Sequence, residues 1–151
     1  MVTLITGSKG SGKTKQLIHL VNEAVRTSDG NVVCVEQKQK LIYDISSRAR
    51  LIAADDYAVA GYDAFYGFLC GICAGDHDIT DVFVDATLRI GGRDYQALAA
   101  FLAKAAKLSA ALDKRFLFTV SAPDSELPAE IFDFCKKFVD NLSESVYNIS
   151  V

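Results

Sequence analysis

Gly7-Ser8-Lys9-Gly10-Ser11-Gly12-Lys13-Thr14 fills the pattern G-x-x-x-x-G-K-[ST] at every fixed position. Glycines let a backbone curl until successive N–H groups point at one anion, and a lysine at this spacing reaches the outer phosphates. The Thr14 hydroxyl is a hard oxygen of the kind that ligates Mg²⁺. A helix opening at the end of the loop adds the positive end of its dipole. The chemistry implied is binding of ATP or another nucleoside triphosphate with Mg²⁺. Gly7, Ser8, Lys9, Gly10, Ser11, Gly12, Lys13 and Thr14 are the nucleotide-binding candidates.

The metal needs an acidic group at the end of a buried strand. Asp85 closes the run Val82-Phe83-Val84-Asp85 and fits that place, so Thr14 and Asp85 are the metal candidates. Asp55 and Asp56, after a weaker strand, stand in reserve. The catalytic candidates are Lys13 and Asp85, joined by Arg89 and Arg93, which flank Gly91-Gly92. A guanidinium there stabilises transition-state charge or holds a second anion. Lys38 and Lys40, after the second strand, invite the same reading with weaker support.

Hydrolysis needs a base, and the residues after Asp85 are Ala86 and Thr87. Neither accepts a proton at neutral pH. Nucleotide binding with slow ATPase or switch activity is therefore the leading expectation, completed by a protein partner or a second copy. Two alternatives stand beside it: phosphoryl transfer to a small acceptor of the nucleoside-kinase kind, and a non-catalytic nucleotide-binding interaction module.

Other reactive residues point less clearly to chemistry. Cys70, Cys73 and His77 share one helical face and resemble a partial zinc set, but Phe65, Phe68, Leu69 and Ile72 make the segment a core helix. His19 lies on the flank of an apolar stripe and reads as structural. Thr119 and Ser121 close a strand, where a hydroxyl senses the terminal phosphate or makes a local turn bond.

Positioning these residues requires alternating strands and helices. Apolar runs predict strands at Val2–Thr6, Asn31–Glu36, Asp81–Asp85, Phe116–Ser121 and Val146–Val151, with a weaker one at Arg50–Ala54. Helical spacing marks Thr14 up to Asp29-Gly30, Gly61–Gly75, and Tyr95–Leu112 with Asp94 as its N-cap. Pro128 opens a further helix with Ile131, Phe134, Cys135 and Phe138 inward. Such alternation predicts an α/β fold: a doubly wound, mainly parallel sheet of five or six strands with helices on both faces. Ligands of such sheets sit at the carboxyl ends of the strands.

Composition agrees with one nucleotide-binding domain spanning residues 1–151. Half the 151 residues are apolar, 23% are charged, and two are proline, which excludes a disordered or collagen-like chain. A formal charge of −3 argues against a dedicated duplex-DNA binder. The uncharged run Ala64–Gly75 is too short to span a bilayer, and the N-terminus lacks a signal-peptide n-region. No membrane association and a cytoplasmic location are expected, with four cysteines as free thiols.

With these motifs placed, the chain is similar to P-loop NTPases, and its layout resembles the type II thymidine kinases. The likeness rests on the glycine loop at the N-terminus, the strand ending in Asp85, the segment Tyr95-Gln96-Ala97-Leu98, and the tail Leu142–Val151. The tail is similar to the family strand that precedes a zinc-binding nucleoside lasso. The resemblance implies an ATP-binding core on a RecA/thymidine-kinase-like sheet. The sequence departs from the family at Ala86, where the family has a catalytic glutamate, and at Leu88–Arg93, which replaces an aromatic-rich segment. No cysteine ribbon or lasso follows up to Val151, so thymidine phosphorylation is not expected. The string Gly10-Ser11-Gly12-Lys13-Thr14 also resembles pilus-type secretion motor ATPases, over the loop alone.

Overall fold

Strand β1 (Val2–Thr6) leads through the glycine loop into helix α1 (Lys13–Thr27), and β2 (Asn31–Glu36) and β3 (Arg50–Ala53) follow. The computed structural model describes residues 1–139. After a 3₁₀ turn at Ala54–Tyr57 come α2 (Tyr62–Gly75), β4 (Ile79–Val84), α3 (Thr87–Gly91), α4 (Tyr95–Leu112) and β5 (Arg115–Val120). A second 3₁₀ turn precedes α5 (Ile131–Phe134) and β6 (Lys136–Lys137).

The six strands form one sheet in the order β3-β2-β4-β5-β1-β6, and every pairing is parallel. The fold is a doubly wound α/β domain. Both faces are covered, which explains why the strands read as near-continuous apolar runs. Alternate residues serve opposite layers: Val33, Val35, Val82, Val84, Phe116 and Phe118 pack in the core shared with α2 and α4. Val32, Cys34, Phe83 and Leu117 pack with Leu17 and Val21 of α1 and with Leu41, Ile45 and Ala49 of the β2–β3 connection. The aromatic pairs Phe65–Phe101 and Phe101–Phe118 tie α2 and α4 to the sheet.

This topology gathers the chemistry. The chain leaves β1 for β2 on the α1 face and returns to β4 and β5 with α2 and α4 on the other face. The carboxyl ends of β1, β4 and β5 are thus neighbours whose loops turn apart, the arrangement that opens a crevice in such sheets.

Several expected elements change in detail. The strand before Asp85 starts earlier, at Ile79, and ends at Val84, leaving Asp85 just beyond it. Arg50–Ala53 is a strand as expected, and Ala54 opens the 3₁₀ turn. Leu88–Arg93, for which the apolar pattern marks no element, includes most of the short helix α3. The helix expected from Pro128 through Phe138 shrinks to the turn Ile131–Phe134. Beyond it the chain extends, because the open edge of β1 offers backbone partners: Phe138 N–H donates to the Leu4 carbonyl at 2.8 Å. Ile131 and Cys135 still face the α2/α4 core, whereas Phe138 packs on the α1 side. The strand expected at Val146–Val151 lies outside the described residues, as does the tail that carried part of the thymidine-kinase likeness.

Asp94 caps α4 as its sequence implies, its carboxylate accepting the Gln96 and Ala97 amides at 3.0 and 3.1 Å. No helix among the described residues is long and apolar enough to cross a membrane. The four cysteines are free.

Candidate functional site

The glycine loop bends away from β1 and then enters α1. Gly7, Gly10 and Gly12 all have positive φ, at 143°, 84° and 86°, conformations that a Cβ would strain. Ala122 anchors the start of the loop, its carbonyl accepting the Gly7 N–H at 3.0 Å. Gly12 is the left-handed N-cap of α1, and no side chain among the described residues caps it. Gly12, Lys13, Thr14 and Lys15 line the cleft beside the loop, and the first amides of such an uncapped helix are the orphan donors to which an anion binds.

Lys13 is buried, 6% exposed. Its ammonium donates to the Gly7 carbonyl at 3.0 Å, the Ser8 carbonyl at 2.7 Å and Ser11 Oγ at 3.2 Å. Burial lowers its pKa, and the negative charge of Asp85 partly offsets that. The cation is held at the centre of the loop by neutral acceptors.

Thr14 Oγ1 donates toward both Asp85 oxygens, at 3.2 Å to Oδ1 and 3.3 Å to Oδ2. Thr119, on β5, donates to Asp85 Oδ1 at 2.9 Å and accepts the Ala86 N–H at 2.7 Å. The Asp85 N–H donates to the Val35 carbonyl of β2 at 2.9 Å. Asp85 is therefore fixed from three directions. A hydroxyl and a carboxylate meeting at one point are hard oxygen ligands, a donor set that fits Mg²⁺. Ala86 turns the chain with φ 58° and ψ 59°, a left-handed conformation unusual for a residue with a Cβ.

Two clefts meet here. The larger, about 360 Å³, runs along the glycine loop and is lined by Lys9, Gly10, Lys13, Thr14, Thr119 and Ser121 among others. The smaller, about 170 Å³, lies toward β2 and is lined by Glu36, Gln37, Lys38, Lys40 and Leu41. Thr14, Asp85, Ala86 and Arg89 line both.

The structure thus brings Lys13, Thr14, Asp85 and Arg89 together, with Lys38 and Lys40 at the smaller cleft. Arg93 is exposed beyond the end of α3 and lines neither cleft; Gly92, at φ 107°, turns the chain away. Asp55 and Asp56 are exposed in the 3₁₀ turn and also line neither. Thr87 is fully buried in α3 and away from both clefts. Cys73 is buried in the core while His77 is exposed past α2, and no cluster of three His, Cys, Asp or Glu among the described residues suits a metal. His19 is exposed on α1.

One residue escaped the sequence reading. Glu36 ends β2 and is buried, its oxygens accepting the Lys40 and Leu41 amides at 3.0 and 3.1 Å. Burial raises its pKa, the two amides pull it back, and the nearby Asp85 charge pushes it further up. Its signal was available, since Glu36 ends a buried strand as Asp85 follows one. The neighbourhood of the two strands was not. No protein-family model matches this chain, and no curated protein is significantly similar to it.

Proposed function

We propose that this protein binds a nucleoside triphosphate with Mg²⁺ at the glycine loop and turns it over slowly, as a weak ATPase or a switch. The observation that carries this reading is the meeting of Thr14 and Asp85 at 3.2 Å beside a loop whose three glycines hold positive φ. Phosphate oxygens take the loop amides and the N-terminus of α1, and Lys13 exchanges its carbonyl partners for phosphate. Thr14 and Asp85 hold the metal, which neutralises phosphate charge when bound. Arg89, exposed at the rim of the same cleft, faces charge that develops during transfer.

Slow turnover follows from the residues beside Asp85. Ala86 carries no proton acceptor, and the Thr87 hydroxyl is buried outside the cleft. A cytoplasmic location and a partner or second copy that completes the site belong to the same reading.

Thermal unfolding with millimolar ATP, ADP or GTP, with Mg²⁺ and with a chelator, tests it. A nucleotide-dependent rise in Tm that is larger with Mg²⁺ is expected. No rise with any nucleotide refutes the proposal. A rise indifferent to Mg²⁺ removes the metal from it.

A further inference from the structure

The smaller cleft contains more than a nucleotide site requires. Glu36 is only 4% exposed and lines this cleft together with Asp85, so two carboxylates share one small space. Capping the Lys40 and Leu41 amides needs only a neutral Asn or Ser oxygen, so a buried carboxylate beside a second one is an expensive choice for that task alone. Among the described residues each Glu36 oxygen takes one amide and has two lone-pair sites, which leaves one on each for a further proton donor. Around the mouth stand three exposed cations, Lys38, Lys40 and Arg89. Water activation by itself gives no role to those cations. The volume of about 170 Å³ exceeds the share of a few waters, yet falls below the roughly 300 Å³ at which drug-sized sites begin.

Resting on the nucleotide reading above, we propose that this cleft binds the phosphoryl acceptor, a small alcohol that carries its own phosphate or carboxylate group. The anionic group pairs with Lys38, Lys40 and Arg89, and the hydroxyl faces Glu36. The shared wall of Thr14, Asp85, Ala86 and Arg89 sets the acceptor against the terminal phosphate. In the transfer, the acceptor oxygen bonds to the γ-phosphorus while the bond from that phosphorus to the β,γ-bridging oxygen breaks. The departing electron pair stays on the nucleoside diphosphate, and the hydroxyl proton passes to Glu36. Burial makes Glu36 a better base than a free carboxylate. The base missing after Asp85 is thereby supplied from the neighbouring strand, and the acceptor is smaller than a nucleoside.

The test is calorimetric titration of inorganic phosphate, and separately acetate, into protein saturated with Mg²⁺ and an imido-bridged ATP analogue, which fills the terminal phosphate position. Binding of at least one anion is expected, weakened at least about tenfold in Lys38→Gln/Lys40→Gln, which removes two of the three cations that pair with it. The anion that binds identifies the acceptor's group as phosphate or carboxylate. Lys107→Gln, exposed on α4, leaves the titration unchanged. If the analogue binds but neither anion does, or if the double variant binds them as well as the wild type, the acceptor site is refuted and the nucleotide site stands. If neither this analogue nor its GTP counterpart binds, both proposals fall.

Discussion

Replacing Lys13 by methionine separates its role in holding the loop from the phosphate-binding role proposed for it. Without ligand the ammonium makes three hydrogen bonds to neutral oxygens, at 2.7 to 3.2 Å, but is buried and its pKa is lowered by desolvation. The lost bonds and the relieved burial oppose each other, so ligand-free stability should change by no more than about 1 kcal/mol. On phosphate the same group makes bonds with both partners charged, and one or two of these amount to about 3 kcal/mol, or roughly 150-fold in Kd. At a nucleotide concentration about 100 times the wild-type Kd, binding stabilises the wild type by about 2.7 kcal/mol. Lys13→Met at that concentration retains about 0.3 kcal/mol. A chain of 151 residues shifts by about 2–4 °C per kcal/mol, so the expected rise of about 5–11 °C falls to about 1 °C. Differential scanning fluorimetry with and without Mg²⁺·ATP reads both quantities. A variant that keeps more than half of the wild-type rise refutes the phosphate role. A ligand-free variant weakened by several kcal/mol shows instead that Lys13 is a structural tie.

Three further outcomes concern the scaffold. The Thr87 hydroxyl is buried without a hydrogen-bond partner among the described residues, so the near-isosteric Thr87→Val should gain up to about 1 kcal/mol in denaturant unfolding, and a loss would show an unseen partner. A Cβ at Gly30 would lie 2.1 Å from the Asp78 carbonyl oxygen and 2.6 Å from Thr80 Cγ2, so Gly30→Ala should cost about 2 kcal/mol or more and lower Tm by about 4–8 °C; an unchanged Tm contradicts the tight approach. Lys137 and then Thr6, both bonded to Asp124, hold its carboxyl below the usual carboxylate range. A depressed folded pKa contributes stability above the unfolded value of about 3.9, and that stability is lost as pH falls through the folded value. Because the pair is partly exposed, Asp124→Asn should cost only about 0.5–1 kcal/mol at pH 7, with the difference closing as the pH drops below about 4; a difference that persists there would mean packing, not charge, is responsible.

How much was legible in the sequence depended on the range of the interaction. The glycine loop is a local device: its spacing and positive φ values depend on adjacent residues, so the motif located the loop and the start of α1 to within a residue. The strands that build an all-parallel sheet were legible because both faces are buried, which leaves a continuous apolar run in the chain. Short segments were less so. Ile131, Phe134, Cys135 and Phe138 fit helical spacing, but the free edge of β1 drew the last of them into extended pairing. Arg89 and Arg93 looked equivalent in the sequence until α3 stopped at Gly91 and the turn at Gly92 carried Arg93 away from the cleft.

By itself the sequence determined the class of fold, the loop, and Asp85 as a carboxylate at the carboxyl end of a buried strand. Only the tertiary structure decided what surrounds that carboxylate. Thr119 reaches Asp85 because β5 lies next to β4, and Glu36 approaches it because β2 lies on the other side. Strand order is set by how crossovers and both helical layers pack, and residues far apart in the chain carry no local trace of that order. The loop is therefore readable from eight consecutive letters, whereas the second cleft exists only once the sheet has assembled.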